Sequence, residues 1–238
     1  MEMPEYPMRI NRYLAKRNFC SRREADGLIE KGLVTINGKR AVLGAKVSEE
    51  DKVEINTKNK AAIKNRQYFA YYKPIGIITH SPEEGQSGIE DVANFSPEFF
   101  PLGRLDKDSH GLIIMTNDGR ITDKLLNPKY EHEKEYIVRV NKKINNFFIR
   151  HMSEGIDLED FRTKMATVEK MSEQTFRIIL VEGKKHQIRR MCTALGYEVV
   201  DLKRVRVMNL KLGSLKPNQK KEIKGEELEI FLKSLDVI

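Results

Sequence analysis

Residues 56–66, NTKNKAAIKNR, divide the chain into two stretches whose apolar residues repeat on different periods, and this break narrows the possible folds more than any other feature. The segment is polar and basic, lacks apolar periodicity, and reads as a linker. Before it, Ile10, Tyr13 and Leu14 fall at helical spacing. Ser21 stands three residues ahead of Glu24, the spacing of a capping box, and Ala25, Leu28 and Ile29 keep the helical period until Gly32 supplies a stop. Val34 and Ile36 then alternate with polar neighbours, Asn37-Gly38 is a strong hairpin signal, and Val42, Val47, Val53 and Ile55 continue the strand pattern. Residues 8–55 therefore predict helix, helix and a small sheet.

After the break the pattern turns β-rich, with strands expected at Tyr68 to Tyr72, Leu112 to Thr116, Tyr136 to Val140, Phe176 to Val181 and Leu202 to Val207. Helices are expected at Arg120 to Leu126, Asn145 to Met152, His186 to Leu195 and Glu226 to Leu235, each with apolar residues three and four apart. The fold class is accordingly α+β: a small N-terminal domain at 8–55, then a larger domain at 67–238 with a mixed, mostly antiparallel sheet and flanking helices.

The chain of 238 residues carries a net charge of +8, and the placement of that charge matters more than its size. Between Met8 and Lys46 there are ten basic residues, Arg9, Arg12, Lys16, Arg17, Arg22, Arg23, Lys31, Lys39, Arg40 and Lys46, against Glu24, Asp26 and Glu30. Nearly all the excess sits in one small domain, which is the footprint of a polyanion binder rather than of a uniformly solvated surface. Apolar runs such as Gly111 to Met115 fall far short of the roughly 20 residues that a bilayer requires. Glu2, Pro4, Glu5 and Pro7 leave no apolar signal segment, so no membrane partner and a cytoplasmic location are expected. Cys20 and Cys192 are the only cysteines, with no CxxC pair, and are expected to be small buried hydrophobes.

The densest cluster of chemically capable residues is Gly103 to Gly111, immediately before an apolar strand. On residue chemistry alone the loop admits three readings. Asp106 could act as nucleophile or general base, kept ionised by Arg104 and neighbouring cations. Asp106 and Asp108, with His110 and Asp118, could hold Mg²⁺ for phosphodiester chemistry. The loop could also be a polar turn in which an Asp caps backbone amides. The flanking Arg104 and Lys107 weaken the metal reading, because a cation site should concentrate negative charge.

Two resemblances then enter. RINRYLAKRNFCSRREADGLIEKGLVTINGKR resembles the S4-type RNA-binding domain. GRLDKDSHGLIIMTNDG resembles the catalytic motif of pseudouridine synthases of the RsuA/RluF family, and three further segments agree in family order: Tyr72-Lys73-Pro74-Ile75-Gly76, His132 to Tyr136, and Glu182 to Met191. The likeness spans roughly residues 8 to 235 and is nearest the RluF branch, which acts on large-subunit ribosomal RNA.

The family likeness implies roles residue by residue. Asp106 matches the catalytic Asp, Tyr136 the Tyr that stacks on the target base, and Lys184 a basic position that pairs with the Asp and is commonly Arg. Arg104 matches the residue that fills the stack vacated by a flipped uridine. RNA contacts are expected at Arg104, Arg9, Arg12, Arg17, Arg22, Arg23, Lys39, Arg40, Lys73, Gln187, Arg189 and Arg190. Tyr72 departs from the usual Asn before Lys-Pro. The expectation is a monomeric isomerase acting on ribosomal RNA with no cofactor and no metal. The alternatives are a non-catalytic RNA-binding protein of ribosome assembly and a Mg²⁺-dependent RNA-processing enzyme.

Overall fold

A computed structural model describes residues 6–56 and 66–238, so the expected linker lies outside the described residues except for Asn56 and Arg66. The chain divides into two compact units: one runs to Gln67 and takes in Asn117–Asp123 and Val237, the other holds the remainder. No helix among the described residues is long and apolar enough to cross a membrane.

The first unit follows the order β1 (Met8–Arg9), α1 (Ile10–Lys16), α2 (Arg22–Glu30), β2 (Val34–Ile36), β3 (Lys39–Arg40), β4 (Lys46–Val47) and β5 (Val53–Ile55). Ser21 and Glu24 form the capping box that opens α2: the Glu24 amide donates to the Ser21 hydroxyl at 3.2 Å and the Ser21 amide donates to the Glu24 carboxylate at 2.7 Å. At the other end Gly32, at φ +69°, lets its amide reach Ile29 and the Leu33 amide reach Leu28, which satisfies the last carbonyls of the helix. Asn37 and Gly38 both take positive φ, as a two-residue hairpin between β2 and β3 requires. Ile10, Leu14, Ala25, Ile29, Val34 and Val47 form the core under this surface. Cys20 joins them.

The second unit is built on a nine-stranded sheet. The elements from there on are β6 (Tyr68–Lys73), α3 (Ile89–Val92), β7 (Phe100–Leu102), β8 (His110–Thr116), α4 (Ile121–Leu126, its first half counted with the first unit), β9 (Lys134–Val140), α5 (Asn146–Glu154), β10 (Thr167–Lys170), β11 (Thr175–Leu180), α6 (Gln187–Ala194), β12 (Val199–Val207), β13 (Leu210–Lys211), β14 (Lys220–Glu222) and α7 (Gly225–Ser234). The strand order is β10-β11-β9-β12-β8-β6-β14, antiparallel except where β12 runs parallel to β8, while β7 and β13 pair with β8 and β12. The fold is thus α+β with a mixed, mostly antiparallel sheet.

Burial follows position in the sheet. β8, at the centre, is buried at every residue after His110, which is why it reads as an unbroken apolar run. β11 alternates, packing Phe176, Ile178 and Leu180 with Phe148 and Met152 of α5 and with Ile188, Met191 and Cys192 of α6. The two edges, β10 and β14, carry Lys and Glu, which discourages pairing with another chain. Cys20 and Cys192 are buried free thiols, and burial pushes them up to about 11 and about 12.

Gly111 sits where β8 passes β12. A β-carbon there would lie 2.2 Å from the Arg204 carbonyl oxygen, and the backbone is at φ +107°. Gly111→Ala should therefore lower stability by at least ~2 kcal/mol in urea unfolding. Gly38→Ala, at φ +77° but with open space around the new carbon, should cost only about 1 kcal/mol. Equal losses for the two would contradict the close-approach reading.

Candidate active site

The loop between β7 and β8 carries Arg104, Asp106 and Asp108, and its shape is set by hydrogen bonds to backbone rather than by its own charges. The Thr79 hydroxyl donates to the Leu105 carbonyl at 2.7 Å and accepts from the Leu105 amide at 3.1 Å, with both residues buried. The Gly76 amide donates to the Lys107 carbonyl at 2.8 Å, and the Ser109 amide closes the turn on the Asp106 carbonyl at 3.0 Å. The buried Arg204 guanidinium donates to the Leu112 carbonyl at 2.7 Å and the Arg104 carbonyl at 3.3 Å. From α6, Arg189 donates to the Asp108 carbonyl at 2.9 Å.

This loop forms one wall of a cleft of about 190 Å³, also lined by Tyr136, Lys184, His186 and Gln187. Asp106, Tyr136 and Lys184, dispersed over almost 80 positions of sequence, meet there with Arg104. Tyr136 comes from β9, where it pairs with Ile178 and with Arg204, and its ring is almost wholly packed into the core that backs the cleft. Arg104 and Lys184 are exposed.

The structure corrects the expected pairing of Lys184 with Asp106. The Lys184 ammonium lies 5.6 Å from the centre of the Phe161 ring, and the side chain within ion-pair range of Asp106 is His186, whose Nε2 is 3.4 Å from a carboxylate oxygen. The reason is local backbone: His186 precedes α6 at φ +53°, a left-handed turn following the Lys184 amide's bond to the Gln187 side chain. Nothing in the sequence marks His186 apart from its place at a predicted helix start.

Two expected RNA contacts are also corrected. Lys73 is fully buried, and its ammonium donates to the Pro74 and Ile77 carbonyls at 2.9 and 2.7 Å, so it fixes the turn after β6 and does not face solvent. Gln187 is buried, donating to Glu182 at 2.6 Å while accepting from the Lys184 amide at 3.0 Å. Arg190 keeps partial exposure but is held by Asp160 and lies 5.3 Å from the Phe161 ring centre. By contrast Arg9, Arg12, Arg17, Arg22, Arg23, Lys39 and Arg40 are all exposed, and among the described residues none is in ion-pair range of a carboxylate.

Two of the four residues of the metal reading are engaged elsewhere. Asp118 is buried against Arg120 at 2.7 Å and Arg66 at 3.5 Å, and His110 lies between Tyr72 and Asp201. Among the described residues no group of three or more His, Cys, Asp or Glu could hold a metal ion.

A two-part protein emerges: a basic helix-helix-sheet unit, and a mixed-sheet domain with a cleft that gathers a carboxylate, a tyrosine and cations. Comparison with known proteins gives the same pairing. Residues 67–194 match the RNA pseudouridylate synthase family and residues 8–53 the S4 domain. The chain is 40% identical over 236 residues to the dual-specificity RNA pseudouridine synthase RluF of Escherichia coli (strain K12), covering 98% of this chain and 81% of that one. It is 34% identical to the ribosomal large subunit pseudouridine synthase B of Bacillus subtilis (strain 168), covering 93% and 94%. A solved pseudouridylate synthase superposes with a TM-score of 0.69 at 27% identity, covering 96% of this chain and 99% of that one. The chain belongs to the RNA pseudouridylate synthase family.

Burial brings the Lys73 ammonium down to about 8; Asp106 and Asp108 pull it up, and Arg204 pushes it further down. Between about pH 8 and the ordinary value of 10.5 the unfolded chain holds the proton that the folded chain has released, so this residue's contribution to stability rises with pH across that window. In urea unfolding, the advantage of wild type over Lys73→Met should be larger at about pH 10 than at about pH 7.5, by up to about 1.4 kcal/mol per pH unit. An advantage independent of pH would contradict the buried-ammonium assignment.

Proposed function

We propose that the protein isomerises uridine to pseudouridine in ribosomal RNA of the large subunit, with Asp106 as the catalytic carboxylate, Tyr136 as the stacking wall for the target base and Arg104 as the residue that fills the gap it leaves. The observation that carries this reading is the cleft in which Asp106, Tyr136, Lys184 and Arg104 meet in a member of this family. The names of the relatives, one of them a large-subunit enzyme, support the substrate class. Residues 8–55 serve as the docking domain, since their exposed cations suit RNA recognised through backbone and shape. Residues 67–238 carry the chemistry.

The reaction breaks the N1–C1′ bond of a uridine, turns the base and joins C5 to C1′, with the C5 proton leaving at the end. The target nucleotide must first leave its stack, at a cost of a few kcal/mol. Arg104, exposed at the cleft mouth, offsets part of that cost by occupying the vacated space. A carboxylate is needed beside the sugar, either to attack carbon or to take a sugar proton, and both roles require the ionised form. Lys184 supplies positive charge at the cleft, His186 Nε2 lies within reach of the carboxylate, and the backbone clamps on Leu105, Lys107 and Asp108 hold the carboxylate in place before RNA binds.

Asp106→Asn, which keeps size but removes charge, should abolish pseudouridine formation in large-subunit RNA while leaving RNA affinity unchanged or slightly tighter. Asp108→Asn should retain much of the activity, and excess EDTA should leave the wild type active. Turnover by Asp106→Asn near the wild-type rate would overturn the assignment, and loss of activity in EDTA with rescue by Mg²⁺ would favour the metal reading.

A further inference from the structure

Outside the cleft, one cluster of titratable side chains has no part in the chemistry above. The Tyr72 hydroxyl lies 2.7 Å from His110 Nδ1, and His110 Nε2 lies 3.0 Å from Asp201 Oδ1. The phenol and imidazole rings are nearly parallel, 19° apart with centroids at 5.6 Å, and the Lys203 ammonium is 5.4 Å from the Tyr72 ring centre. Tyr72 is buried, and His110 and Asp201 are partly so. The three residues sit on three adjacent strands, β6, β8 and β12.

We infer that Tyr72, His110 and Asp201 act as one positioning unit that fixes the stretch of loop immediately following Asp106. The inference rests on Asp106 being the reacting carboxylate. A neutral imidazole can accept from the phenol at Nδ1 and donate to the carboxylate at Nε2, and a carboxylate on one nitrogen selects that tautomer. Burial and the nearby Asp201 charge raise the phenol pKa, which keeps it a donor. Geometry carries the unit to the loop along two routes. His110 opens β8 four residues after Asp106 and next to Gly111, whose close approach to Arg204 leaves no slack. Tyr72 leads into Lys73 and the turn whose Gly76 amide holds the Lys107 carbonyl at 2.8 Å. The stretch just after Asp106 is thus gripped at Lys107 and at His110 by strands that this chain of hydrogen bonds ties together.

Tyr72 stands where the resembling family has Asn, and His110 is the partner that gives the larger residue a bond. A unit of this kind acts on the placement of Asp106 and not on RNA affinity. Misplacement of a reacting group by about 1 Å can cost on the order of 10²-fold in rate, so loosening one support should cost roughly 10-fold.

The test measures kcat, KM and the thermal midpoint for Tyr72→Phe, His110→Leu, the double variant and His110→Gln on a large-subunit RNA fragment, with Asp106→Asn alongside. Tyr72→Phe and His110→Leu should each lower kcat roughly 10-fold with KM unchanged, and the double variant should be no slower than His110→Leu alone. His110→Gln, which can still accept from Tyr72 and donate to Asp201, should recover most of the rate. A wild-type kcat in Tyr72→Phe, a loss carried in KM, losses that multiply in the double variant, or no recovery in His110→Gln would each overturn the inference. An inactive Asp106→Asn beside any of these leaves the proposed function standing, whereas an active Asp106→Asn removes that function itself.

Discussion

Where β8 passes β12, the backbone of Gly111 comes so near Arg204 that no β-carbon fits between them, and the geometry of the site follows from that approach. Only there does the sheet run parallel, with Lys203 opposite His110 and Arg204 opposite Gly111. The contact brings the Arg204 side chain across β8, where it binds the Leu112 and Arg104 carbonyls on either side of the loop. It also sets Tyr136, the neighbour of Arg204 on β9, beside the same loop. A bulkier residue at 111 would push these supports apart together.

The loop itself shows how a carboxylate can be held ready without a charge network built directly on it. Its supports are neutral donors and acceptors, namely the Thr79 hydroxyl and the Gly76 amide, together with the fixed guanidinium groups of Arg204 and Arg189, all acting on main-chain carbonyls and amides. The buried Lys73 ammonium, which senses Asp106 and Asp108, lies one layer further out, while the His186 imidazole faces the carboxylate from the cleft. In the proposed reaction such an arrangement would orient the carboxylate before the substrate arrives, so that little reorganisation would be required when charge moves.

The central strands and the amphipathic helices were legible because burial there imposes a clear period: β6, β8, β9, β11 and β12 and the helices α5, α6 and α7 all lie close to their predicted spans. The edge strands β10 and β14 were not, since a solvated edge of Lys and Glu has no apolar alternation to detect. Likewise the capping box, the Gly32 stop and the Asn37-Gly38 turn were visible in local chemistry. The site was legible as a concentration of reactive residues before an apolar strand, and the family likeness drew Tyr136 and Lys184 to it. The burial of polar side chains was not legible. Lys73 and Gln187 look like surface contacts in a basic sequence, and only the tertiary structure turns them inward. Thr79 and Arg204 carry no sequence signal, because their partners are carbonyl groups 26 and about 100 positions away.

The central claim is that the Asp106 loop is fixed before RNA binds. Amide hydrogen exchange of the RNA-free protein at Leu105, Ser109 and Gly76 tests it most directly, because these amides donate to Thr79, Asp106 and Lys107. Protection approaching that of the β8 core is the result predicted, whereas exchange as fast as in an exposed loop, slowing only when RNA is added, would contradict it.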